Sequence, residues 1–187
     1  MLVKEMFYNV SIFITFFLIL ILNASSSEKD KIIENLKNTE NFDFKFEQNI
    51  NGKIENGQCT IEYPKKIFCE YFKNKILVSN GKSLVIKTVS GYYRYPLEKT
   101  PFNQILDKKF LINKIYNLDE RIIDNSYINY TILENDNEIN IFFDNKTFDL
   151  IGWQNTDIYQ NFNITFLSSI RKNRVISKDI FKIPPQN

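Results

Sequence analysis

Two cysteines, Cys59 and Cys69, are the only thiols in a chain of 187 residues that contains no histidine at all. The missing histidine removes Ser-His-Asp and Cys-His catalysis and the commonest zinc ligand together. Two cysteines alone cannot complete a structural zinc site. The nine residues between them also exclude the Cys-x-x-Cys spacing of a dithiol redox centre. Carboxylates such as Asp119, Glu120 and Asp136 stand in polar, turn-like stretches, so no pair has the apolar setting that general acid–base work requires. No Gly-rich phosphate loop or nucleophile elbow is present. The chain is expected to be neither an enzyme nor a holder of metals or cofactors.

The cysteines lie on the arms of a candidate hairpin. Gln58–Tyr71 reads as two short strands folded back at Pro64, Lys65 and Lys66. Cys59, Ile61 and Tyr63 point one way from the first arm, and Ile67, Cys69 and Tyr71 share a face of the second. Antiparallel pairing brings the sulfurs close, either as a structural disulfide or as two free buried thiols.

More sheet surrounds this hairpin. Asn41–Ile50 alternates, with Phe42, Phe44, Phe46, Gln48 and Ile50 against Asp43, Lys45, Glu47 and Asn49. Asn51-Gly52 and Asn56-Gly57 mark turns before the hairpin, and Asn80-Gly81 joins two β-rich runs after it. Strands resume at Ser126–Glu134, Glu138–Asp144, Phe148–Asp157 and Gln160–Leu167. One helix leads the meander, Ser27–Lys37 with Ser27 as N-cap, and a short helix or helix pair over Pro101–Lys114 interrupts it. Aromatic residues at 15%, with 17 Phe and 10 Tyr, favour strands. Two packed sheets or a barrel are the usual ways to bury one apolar face of a long meander. The helices before and within it predict one mainly β domain, a strongly curved antiparallel sheet whose open concave side is plugged by helices.

Val10–Leu22 is an apolar run of 13 residues, with Lys4 upstream and small residues downstream. That is the make-up of a secretory signal, with cleavage expected after Ser26; the run is short of the ~20 residues that span a bilayer. Residues 1–26 are then the signal and 27–187 the domain, exported to an oxidising compartment. No cysteine follows the cleavage site to carry a lipid, so the processed chain is expected to be soluble. Net charge is only +2, with acids and bases interspersed, which leaves no footprint for nucleic acid.

The order of short motifs resembles one family along nearly the whole processed chain. It runs from Phe44-Lys45-Phe46-Glu47-Gln48 through Gly57 to Tyr63-Pro64, then Leu77-Val78-Ser79-Asn80-Gly81-Lys82-Ser83-Leu84, Thr100-Pro101-Phe102 and Phe181-Lys182-Ile183-Pro184-Pro185-Gln186. It is similar to the periplasmic outer-membrane lipoprotein carriers, the LolA family. The resemblance implies an unclosed, strongly curved antiparallel β-barrel, a half-barrel, with a helical lid, and a carrier, expected to act as a monomer, that holds the acyl chains of lipoproteins inside it. Its partners would be acylated lipoproteins, an inner-membrane lipoprotein-releasing ABC transporter and an outer-membrane lipoprotein receptor. The expected cavity lining is Phe44, Phe46, Ile61, Leu84, Ile86, Phe102, Ile105 and Leu106, with Tyr63 and Pro101 in contact with the lid. Where the family commonly has an arginine before the hairpin proline, this chain has Tyr63, so an arginine latch is absent. A lipid-sensing regulatory module of the same fold is the alternative.

Overall fold

The structure, a computed structural model, describes residues 26–134, 137–156 and 161–186. The expected signal segment lies, except for Ser26, outside the described residues. In chain order the elements are α1 (Glu28–Asn38), β1 (Asn41–Ile50), β2 (Lys53–Glu62), β3 (Lys66–Tyr71), β4 (Lys75–Asn80), β5 (Ser83–Lys87) and β6 (Tyr92–Pro96). There follow α2 (Phe102–Ile105), α3 (Lys108–Asn117), β7 (Arg121–Ile123), β8 (Tyr127–Glu134), β9 (Asn137–Asp144), β10 (Leu150–Thr156) and β11 (Phe162–Lys172).

The strands form one antiparallel sheet in the order β6-β5-β4-β3-β2-β1-β11-β10-β9-β8-β7. Two meanders therefore meet at β1 and β11, and the sheet does not close. The helical stretch α2–α3 carries the chain from the free edge at β6 to the free edge at β7. This is the expected half-barrel with helices, including the helix pair after Pro101. β7 is only three residues long, and the main-chain carbonyl of Pro184 accepts from Tyr92 Oη of β6 at 3.2 Å. Short and covered edges of this kind resist further strand pairing.

Register follows from alternation. Phe42, Ile61, Ile67 and Leu84 form one inward row, and Phe44, Cys59, Cys69, Leu77 and Ile86 form the next. The helices supply the other half of the core, through Ile32, Ile33 and Leu36 of α1, Ile105 of α2, and Leu111 and Ile115 of α3. α1 begins where the sequence places it. Ser27 accepts from the Asp30 N–H at 3.1 Å and Asp30 accepts from the Ser27 N–H at 3.2 Å, which makes a capping box.

Asn56-Gly57, expected as a turn, lies instead inside β2. A Cβ at Gly57 would sit 2.2 Å from the Glu70 carbonyl oxygen and 2.8 Å from the Phe46 ring. The glycine is there so that an aromatic ring can cross the strand. Residue spacing also missed β7 and the register shifts in the β10–β9 and β1–β11 pairings, where the two-residue period breaks. On the convex face the turn at Lys178–Phe181 lies against β3 and β4, and Val78, Val85 and Phe181 are buried there.

Cys59 and Cys69 are directly paired across β2 and β3, with Cα atoms 4.1 Å apart, and form a disulfide on the inward face. Closing so short a loop stabilises the fold by about 3 kcal/mol in the chain-entropy account. The C59A/C69A double variant is expected to lose about that much in urea unfolding; a loss within error of zero would show that packing alone holds the hairpin.

Candidate functional site

Two concavities stand on opposite faces of the sheet. The larger, about 650 Å³, is on the convex face between β1–β3 and the carboxy-terminal segment. Its wall carries Asp43, Lys45, Glu70 and Arg171, with Arg171 paired to Asp43 and Gln58 donating to Glu70 at 3.0 Å. Those groups are poor company for hydrocarbon.

The smaller, about 170 Å³, lies on the concave face beneath α2. Its depth is apolar: Leu77 from β4, Leu84 and Ile86 from β5, Tyr95 from β6, and Pro101, Phe102 and Ile105 from the lid. Its mouth is polar. Tyr71 Oη donates to Gln48 at 3.1 Å, and Gln48 Nε2 donates to Asn163 at 3.0 Å and to Thr165 at 3.3 Å. Lys75 lies 3.7 Å over the Tyr71 ring and bonds Glu55. Burial alone would raise the Glu55 carboxyl, but the bonded Lys75 ammonium, with Lys53 at 3.4 Å, holds it below its ordinary value. Burial, with the Glu55 charge behind it, pushes the Tyr71 phenol far up, so Tyr71 stays a neutral donor. An apolar pocket with a hydrogen-bonding mouth suits an amphiphile.

Of the residues expected from sequence to line a cavity, Leu84, Ile86, Phe102 and Ile105 border this one, as does Pro101. The others lie off it, and Phe44 borders the larger concavity on the other face. Ile61 and Leu106 are wholly buried, Phe46 lies edge-on to Tyr71 at 4.8 Å, and Phe44 stacks on Phe42 and meets the edge of Trp153 at 6.4 Å. The mouth residues Gln48, Tyr71, Lys75 and Asn163 were not singled out. The available signals were the inward phase of Gln48 in the β1 alternation and the face that Tyr71 shares with Ile67 and Cys69. Trp153 was missed too. It packs beneath Phe102 of the lid at 6.3 Å, and its buried indole N–H has no partner among the described residues.

The lid is held at several points. The Lys65 N–H in the β2–β3 turn donates to the Leu106 carbonyl at 2.8 Å, and Lys65 Nζ lies 3.5 Å from Asp107. Asp107 also caps α3, accepting from the Phe110 N–H at 3.1 Å. The helices α1 and α3 grip one another end to end. Lys29 at the start of α1 donates to Leu118 O after α3 at 2.6 Å. Lys108 at the start of α3 donates to the carbonyls of Lys37 and Thr39, at 3.3 and 2.9 Å. Unpaired carbonyls and the negative pole of the helix dipole make each C-terminus a site for an ammonium.

Tyr63, expected at the lid, is buried between Phe42 at 6.0 Å and the Lys108 ammonium, 5.8 Å from its ring. Its hydroxyl has no hydrogen-bond partner among the described residues, and burial pushes the phenol well up. The link from hairpin to lid runs through Lys65 rather than through the Tyr63 hydroxyl.

Two outcomes are expected. Tyr63→Phe deletes an unpartnered buried hydroxyl and should raise urea-unfolding stability by ~1 kcal/mol; a loss of stability would reveal a partner. The lowered Glu55 carboxyl binds its proton more readily unfolded than folded. Its contribution is therefore full above the ordinary value of 4.5 and is lost as pH falls through the lower folded value. Glu55→Gln should flatten that part of the stability–pH curve below pH 4.5, and an unchanged slope would count against the ion pair.

No curated protein matches the chain. Among solved structures, a LolA superfamily protein from Nitrosomonas europaea is 8% identical with a TM-score of 0.42, covering 84% of this chain and 99% of its own. A DUF1329 family protein from Desulfovibrio piger is 9% identical with the same TM-score of 0.42, covering 83% and 95%. At that distance neither informs function. Residues 37–184 match the family described as outer membrane lipoprotein carrier protein LolA, a span from the end of α1 to the carboxy-terminal tail. The chain belongs to the LolA family.

Proposed function

We propose that the protein is a periplasmic carrier that takes the acyl chains of lipoproteins from an inner-membrane lipoprotein-releasing ABC transporter and passes them to an outer-membrane receptor. The observation that carries this reading is the apolar cavity under α2 with its polar mouth, in a chain of the LolA family. Hydrocarbon enters such a space with a driving force of roughly 25 cal/mol per Å² removed from water. The mouth amides, phenol and ammonium then face the polar end of the cargo.

At about 170 Å³ the cavity is smaller than the roughly 300–1,000 Å³ usual for ligand sites. Loading therefore displaces the lid. When α2 and its connector move off, Phe44, Ile61 and Leu106 join the lining, and the Lys65–Leu106 and Lys65–Asp107 contacts are the ones to break. Binding energy of the acyl chain offsets that loss.

Purification from the periplasm of cells that make acylated lipoproteins tests the reading. Acylated lipoprotein should co-purify, and the protein should extract it from inner-membrane vesicles bearing the transporter. Failure of both overturns the proposal. Ile86→Glu puts a carboxylate in the cavity wall and should reduce recovered cargo by about tenfold or more, while Lys65→Ala should speed its exchange.

A further inference from the structure

The strands of an antiparallel meander put alternate turns at opposite ends of the sheet. The turns at residues 51–52, 72–74 and 88–91 share one end, since Ile50 pairs with Lys53, Tyr71 with Lys75 and Lys87 with Tyr92. The start of β11 joins them, where the Asn51 N–H donates to Phe162 O at 3.1 Å. Large exposed apolar side chains collect along this rim: Phe72 at 75%, Val89 at 85%, Ile54 at 45% and Phe162 at 48% exposure. The turns at the other end of the same strands, residues 63–65 and 81–82, carry none. The one large apolar side chain exposed at that end of these strands among the described residues is Val175, on the segment after β11 that bonds Asn41.

The charges of the same turns are one-sided. Among the described residues Lys53, Lys73, Lys75 and Lys87 face two carboxylates at these strand ends: Glu55, which Lys53 and Lys75 already engage, and Glu70, which accepts from Gln58. Beyond β11 the rim changes character, with Glu138 and with Glu134 held by Lys114. The cavity mouth belongs to the basic side: Ile50, Lys75 and Asn163 line it and stand at or next to the ends of β1, β4 and β11 that face this rim.

We propose that the turn rim of β1–β6 and the start of β11 docks on the surface of an anionic phospholipid bilayer. Phe72 and Val89 reach into the headgroup boundary, and the lysines pair with lipid phosphates. Apolar tips separated by lysines fit that boundary, whereas a protein partner of ordinary interface composition would select against lysine. Docking sets the mouth of the cavity against the membrane, so an acyl chain passes between bilayer and cavity without crossing bulk water. The surface is a property of the rim and does not require that the cargo be a lipoprotein.

Co-sedimentation of the protein recovered from the periplasm with vesicles tests this, using phosphatidylcholine alone and phosphatidylcholine with phosphatidylglycerol. Binding is expected only to the anionic vesicles and should weaken with salt. F72S/V89S should weaken it by about tenfold, and K53E/K73E by about tenfold or more with a shallower salt dependence. Circular dichroism and urea midpoints matching wild type confirm that the variants fold, as exposed turn positions allow. No binding, equal binding to neutral vesicles, or binding unchanged in both variants overturns the proposal. Cargo recovered without vesicle binding sinks the rim alone; vesicle binding without cargo sinks the carrier reading alone.

Discussion

Because β1 pairs with β2 on one side and with β11 on the other, both meanders of the chain share a single sheet, and its free edges fall at the far ends. The chain must then travel from β6 to β7 across the open side, and it does so as helix. That crossing turns an amphipathic sheet into a covered one. The inward rows of Phe, Ile, Leu and cystine are too apolar to face water, and among the described residues α1 to α3, with Leu97 and Phe148 beside them, hide these rows. A closed barrel would bury the same rows permanently. An unclosed one covers them with parts that are joined by a few bonds.

Those bonds are mostly polar and lie at helix ends. Lys29 and Lys108 each bond carbonyls at the end of the opposite helix, and Lys65 reaches the lid from the hairpin turn. Contacts of this kind are each weak beside the buried apolar area of α1. The lid therefore divides into a firmly packed part, α1 and α3, and a lightly held part, α2 with its connector, which roofs the cavity. Opening at α2 leaves most of the core undisturbed.

The disulfide and the aromatic packing act on the opposite wall. Cys59–Cys69 locks β2 to β3 on the inward face, beside Phe44 and Leu77. Gly57 lets the Phe46 ring cross β2 to meet Tyr71, and Tyr71 in turn bonds Gln48 at the cavity mouth. The proposed loading and unloading cycle would use such a cross-linked wall opposite the roof formed by α2.

The sequence by itself determined the class of fold, the hairpin with its paired cysteines, the capped first helix and the inward phase of Phe42 to Gln48. Each of these follows from spacing between near neighbours, and alternation or capping chemistry acts over a few residues. Phe102 and Ile105 were legible as apolar residues at helical spacing for the same reason, and Leu84 and Ile86 entered the expected lining with the family resemblance. Which inward residues border empty space and which are packed solid was decided by tertiary structure, because that depends on the helices that arrive opposite each strand. Phe44 and Ile61 have the same alternation as Ile86, yet Trp153 and the inner rows fill the space around the first two and leave the third against the cavity. The mouth was likewise decided in three dimensions. Gln48, Tyr71 and Asn163 are far apart in the chain; the β1–β11 pairing brings Asn163 to Gln48, and the β1–β2–β3 pairings bring Tyr71 to it from the other side.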